Sequence, residues 1–123
     1  MYVNDALLVG IGGFLGANSR YLLSKIINKY WKKSYPIATF LINILGSFLL
    51  GLVVMHPVAS KILQADLKYG IGIGFMGAFT TFSTFEFEVL QLVENKKIFI
   101  ASLYIVLSFL IGFILAWFAS QNI

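Results

Sequence analysis

The chain carries four apolar runs of membrane-spanning length, at about residues 5–27, 37–55, 67–93 and 98–118, separated only by short polar connectors. Crossing the hydrocarbon core of a bilayer takes about 20 mostly apolar residues. A backbone in lipid finds no water to bond, so it must close its own hydrogen bonds, in helices or in a closed barrel. Runs this long, joined by connectors this short, predict an all-α integral membrane protein with four transmembrane helices. Composition agrees. Of the 123 residues, 59% are hydrophobic and 11% charged, with a mean hydropathy of +0.89; soluble domains run at about 45–50% apolar and about 25% charged. A soluble fold of this length would bury only about two-thirds of its surface. The sequence reads as a single membrane domain over 1–123, with no linker or low-complexity tail. Residues 1–15 lack a basic n-region and carry Asp5, so a cleaved signal peptide is not expected.

The charges have a topological pattern. Arg20, Lys25, Lys29, Lys32, Lys33, Lys96 and Lys97 lie on the side of the first and third connectors, and only Lys61 and Lys68 lie on the other. The positive-inside rule places the first and third connectors in the cytoplasm and both termini outside. The formal charge of +4 is therefore membrane topology, and no nucleic-acid partner is expected. The chain has no cysteine and one histidine, His56 in a connector, so neither a thiolate metal site nor a catalytic set can be assembled. An enzyme is not expected.

The third run is the unusual one. Residues 70–88 read GIGIGFMGAFTTFSTFEFE, and Gly72, Gly74 and Gly77 satisfy the dinucleotide pattern G-x-G-x-x-G. That pattern needs a strand before it and an acidic residue about 20 positions on. Here it sits inside a membrane-length apolar run, which rules the nucleotide reading out. Glycines at 70, 72, 74 and 77 each weaken a helix by about 1 kcal/mol relative to alanine, and Thr80 and Thr81 offer hydroxyls to backbone groups freed by a break. The reading is a third helix broken mid-membrane, which lipid tolerates only around a protein-lined or watery cavity. Freed carbonyls at such a break can hold a cation, so a break points to a transport site. The same glycines would also serve as a packing face on an unbroken helix.

Beyond the glycines, Phe82 and Phe85 stand three apart on one helical face, with Phe79 a turn back and Ser83 and Thr84 interleaved. Ring edges carry positive potential and hydroxyls donate hydrogen bonds, so such a lane suits a small, strongly hydrated anion. Asn43, the lone amide of the second run, is either helix–helix glue or a donor facing the path. Arg20 is costly within a span and marks an anion-attracting vestibule or a snorkelling site. Tyr104, Ser108, Gly112 and Ala116 recur every four residues as one face, fit for a pore wall or for close packing. Glu86 suits interfacial solvation, whereas Glu88 would stand beside an anion path.

Gly77-Ala78-Phe79-Thr80-Thr81-Phe82-Ser83-Thr84-Phe85, with Glu88 three further on, strongly resembles the signature of the CrcB/Fluc fluoride channels. The likeness extends to chain length, four spans, Arg20, Asn43 and the Tyr104/Ser108 pair. It implies an antiparallel dual-topology dimer with two pores, exporting fluoride passively from the cytoplasm across a bacterial cytoplasmic membrane and so conferring fluoride resistance. It further implies that Phe82, Phe85, Asn43, Ser83, Thr84, Tyr104, Ser108 and Glu88 line the path, and that Arg20 sits at a vestibule. Backbone carbonyls of Gly77 and Thr80, from both subunits, would bind a structural sodium ion at the dimer interface. Departures fall at Ala78, where relatives often have glycine, at Gly112, where relatives can have serine, and at Ala116, which extends the polar row without a hydroxyl.

The lysine and arginine bias leaves two dimers open: a homodimer, or a heterodimer with an oppositely oriented homologue. A four-helix multidrug/proton exporter is the competing function, but it would be expected to carry a glutamate in the first span, where this chain has none. A purely structural membrane subunit would have no use for the hydroxyl-lined break.

Overall fold

The computed structural model describes residues 3–62 and 65–121, and among them the chain is entirely helical. Helix α1 (Val3–Tyr30) has 28 residues, about 42 Å at 1.5 Å per residue. After a short loop, α2 (Ile37–Leu50) starts directly behind Pro36, whose missing N–H costs nothing at a helix entry. Its winding widens into a π-helical turn at Gly51–Met55 and stops at His56, which is extended. Two single turns follow, α3 (Ala59–Ile62) and α4 (Ala65–Lys68). The chain then winds as a π-helix over Tyr69–Met76, tightens into α5 (Gly77–Phe79), and resumes after an interruption as α6 (Ser83–Glu94). Helix α7 (Ile98–Ala119) closes the fold. Among the described residues, Asn4–Tyr30, Ile37–Met55 and Ile98–Ala119 are long and apolar enough to cross a membrane. The stretch read as a third span over 67–93 is made of several shorter pieces, divided at Thr80–Phe82.

The glycines of the 70–77 stretch do not themselves interrupt the helix. None has a positive φ, and the chain leaves helical winding only at Thr80. Their use is close approach. A Cβ at Gly74 would fall on the Val9 carbonyl, one at Gly12 on the Gly70 carbonyl, and one at Gly16 on the Phe75 carbonyl. Small residues from α1 and from the π-helical segment therefore interlock backbone to backbone, the contact that drives helix association in lipid. Gly51 does the same for α7, where a Cβ would stand 2.5 Å from the Ala116 carbonyl oxygen.

On the other side of the bundle, α2, α6 and α7 share a core of Phe40, Phe85, Leu92, Ala101 and Tyr104, with Tyr35 packed against it. Tyr104 is wholly buried. Outward surfaces are strongly apolar, with Phe99, Phe113, Trp117 and Phe14 all exposed. A surface of that kind belongs in lipid or against another protein.

Candidate functional site

The site is built where the helix stops. Thr80 takes an extended conformation (φ −78°, ψ 156°), which turns the chain out of α5. Its hydroxyl donates back to the Met76 carbonyl at 2.8 Å, the carbonyl its own amide also reaches at 3.0 Å. The next peptide is held from α2. Asn43 Oδ1 accepts the Thr81 N–H at 2.9 Å, and Asn43 Nδ2 donates to the Thr81 carbonyl at 2.9 Å. One side-chain amide thus satisfies both polar groups of a buried residue that has left the helix. Thr81 then starts the next helix, its Oγ1 accepting the Thr84 N–H at 3.2 Å as an N-cap hydroxyl does. Gly46 gives this junction room, since a Cβ there would collide with the Thr80 methyl.

These bonds divert two amides. In an unbroken α-helix the Thr81 N–H would close onto the Gly77 carbonyl, and the Thr84 N–H onto the Thr80 carbonyl. Instead Asn43 holds the first and the Thr81 hydroxyl holds the second. The carbonyls of Gly77 and Thr80 are left without those partners, and both residues line a cavity of about 380 Å³. Carbonyls freed at a helix break are a type of oxygen that can hold a hard cation.

Asn43, Ser47, Phe82, Phe85 and Ser108 line the same cavity. Ser108 Oγ is buried and, among the described residues, has no hydrogen-bond partner. A buried donor left over in this way is uncommon and calls for a ligand or water. Ser47 Oγ, by contrast, is spent on the Asn43 carbonyl at 2.9 Å. Phe85 is buried, with its ring centroid 4.8 Å from Tyr104, 6.0 Å from Phe82 and 5.9 Å from Phe109, the last edge-on at 89°. Phe82 is 67% exposed, so the cavity is open on that side. Past Phe85, the Tyr104 hydroxyl donates to Glu88 Oε1 at 3.2 Å, and the buried Thr39 hydroxyl joins this pair.

The structure therefore brings Asn43, Gly77, Thr80, Phe82, Phe85 and Ser108 to one cavity, with Tyr104 and Glu88 directly behind Phe85. Ser83 and Thr84 are exposed and lie outside the cavity. Arg20 is half-buried on α1 and lines neither this cavity nor the one under the loop between α1 and α2. The row on α7 divides: Tyr104 and Ser108 face the site, whereas Gly112 and Ala116 lie against Ser47 and Gly51 of the second helix as packing positions. Thr39 escaped the sequence reading. It stands one helical turn before Asn43, and a hydroxyl in so apolar a run was the available signal.

Helices of membrane-crossing length around a hydroxyl- and ring-lined cavity define an all-helical membrane protein with a polar site at an interrupted helix. The chain belongs to the CrcB family: residues 7–120 match the family described as CrcB-like protein, Camphor Resistance (CrcB). Among curated relatives, fluoride-specific ion channel FluC 1 of Bacillus cereus (strain ATCC 10987 / NRS 248) is 46% identical over 110 residues, 89% of this chain and 80% of the relative. Fluoride-specific ion channel FluC 2 of the same strain is 45% identical over 117 residues, 95% of each chain.

Proposed function

We propose that the chain is a fluoride-selective channel that lets the anion leave the cytoplasm down its electrochemical gradient, reducing fluoride toxicity. Its relatives are fluoride-specific ion channels by name. The observation on the molecule itself that supports the reading is Ser108 Oγ, a buried donor without a partner among the described residues, in a cavity walled by Phe85 and Phe82. A small anion can leave water only where donors and positive ring edges replace its hydration. Phe82, Phe85, Asn43, Ser108, Tyr104 and Glu88 are proposed as the path, with Ser83 and Thr84 contributing from α6 and Arg20 at a vestibule. The competing exporter reading is not favoured, and the chain is a transporter of the non-enzymatic kind.

The fold reading is four membrane crossings, with residues 67–93 forming a third that is broken within the bilayer at Thr80–Phe82. The assembly is an antiparallel, dual-topology dimer in a bacterial cytoplasmic membrane, either of two copies or with an oppositely oriented homologue. The exposed Phe82 ring and the open side of its cavity support a partner there. A structural sodium ion at the interface would be held by the Gly77 and Thr80 carbonyls, whose helical amides are engaged elsewhere. Fluoride efflux from liposomes containing this chain alone, with chloride as control, tests the function. Rapid fluoride release with negligible chloride release is expected; equal chloride flux, or none of either from a well-folded dimer, overturns it.

A further inference from the structure

Phe85, Tyr104 and Glu88 connect the cavity at the interrupted helix to a second one. Phe85 lines the first cavity and its ring lies 4.8 Å from Tyr104. Tyr104 donates to Glu88 at 3.2 Å, and Glu88 lines the second cavity, of about 310 Å³. This space lies between the α1–α2 loop and the turn joining α6 to α7. Lys33, Ser34, Tyr35 and Lys97 line it.

The construction of that space favours an anion. Lys97 Nζ donates to Ser34 Oγ at 2.6 Å, bridging the turn to the loop across 63 residues of sequence. An ammonium has three hydrogens, so two remain to face the cavity or water. Lys33 folds over the Trp31 ring at 5.5 Å, keeping a second cation at the same rim. The Tyr35 hydroxyl is buried and, among the described residues, has no partner, while its ring packs edge-on against Tyr104 at 5.4 Å. Burial pushes that phenol above its ordinary value, so it stays a neutral donor. Among the described residues Glu88 is the one carboxylate lining the cavity, and its Oε1 is committed to Tyr104.

Lys97 is also held firmly. The Lys96 amide bonds the Val93 carbonyl at 3.0 Å and the Lys97 amide bonds the Leu92 carbonyl at 2.8 Å. With Lys96 left-handed at φ 62°, this is a Schellman ending that fixes Lys97 at the end of α6.

We propose that the cavity beneath the α1–α2 loop is an anion-admitting mouth of the fluoride path, with Lys97 as the cation that concentrates anions there. The proposal rests on the channel reading above. A unit charge several ångströms from the entry changes local anion concentration about two- to threefold in water. That effect vanishes in strong salt, where the screening length falls from about 30 Å at 0.01 M to about 3 Å at 1 M.

The chain contains no cysteine, so a single thiol at this position can be charged at will. Lys97→Cys would be modified in detergent with a trimethylammonium or a sulfonate thiosulfonate reagent, checked by mass, and reconstituted beside the unmodified parent. At about 0.01 M ionic strength, fluoride efflux should fall about two- to threefold in the bare thiol variant. The cationic adduct should recover the parent rate, the anionic adduct should fall further, and all differences should close at about 1 M salt. Equal rates for the two adducts, a thiol that neither reagent reaches, or differences that persist in strong salt overturn the mouth and leave Lys97 a loop tether. A parent that forms a well-folded dimer and carries no fluoride defeats the channel reading itself, so the two failures are distinct.

Discussion

Asn43 shows how much one side chain can decide. Its amide forms a two-way pair with the Thr81 peptide, and everything at the site follows from that pairing: the helix stops, the Gly77 carbonyl loses its amide, and α6 restarts from Thr81. Leucine at this position would fit by volume but would leave a buried N–H and a buried C=O unpaired, each costing about 1–3 kcal/mol. Asn43→Leu should therefore lower the thermal midpoint in detergent and abolish fluoride efflux together; an unchanged midpoint would reduce Asn43 to a contact of the ion alone. By sequence alone this residue fits two roles, helix glue and path donor. Its partner lies 38 residues away, and no local pattern reports a bond of that span. Thr80 and Thr81, by contrast, were legible as hydroxyls serving a broken backbone, because their bonds reach only four and three residues along the chain.

Among the elements, the π-helical stretch Tyr69–Met76 and the ending of α6 carry the clearest consequences. Glycines in a membrane segment can loosen a helix or let a neighbour approach, and composition alone cannot tell which. Here Gly74 accommodates the Val9 backbone and the break comes later, at Thr80. The ending of α6 carries a local cost. Lys96 occupies the left-handed position that glycine favours, at about 1 kcal/mol for a residue with a Cβ. Lys96→Gly should raise stability by about that amount, read as a thermal midpoint a few degrees higher in detergent. A lower midpoint would mean the lysine side chain repays its backbone cost elsewhere.

At the scale of the whole molecule, the exposed apolar surface and the open side of the Phe82 cavity face lipid or, in the proposed dimer, a partner. Orientation in the membrane is the property to measure. Over the four proposed crossings, seven basic residues fall on one side and two on the other, whereas the proposed antiparallel pair would need both orientations. Asn95→Cys places the only thiol in the third connector, where an impermeant maleimide added to intact cells reports which side it faces. Labelling of roughly half the molecules is expected for dual insertion of the homodimer. Complete protection or complete labelling would mean a single orientation, so that an antiparallel pair could form only with a separate homologue.

The solvent and the helical class follow from the order of residues alone. Apolar runs of bilayer length leave a backbone no other way to satisfy its hydrogen bonds, and a run of hydroxyls and phenylalanines is written in consecutive letters. Packing of distant segments decided the rest: that Asn43 holds Thr81, that Thr39 joins Tyr104 and Glu88, that Gly112 packs while Ser108 has no partner among the described residues, and that Lys97 meets Ser34. The physical reason is one of range. Hydropathy and helical period act over a turn or two, whereas these bonds exist only once separate helices have packed together.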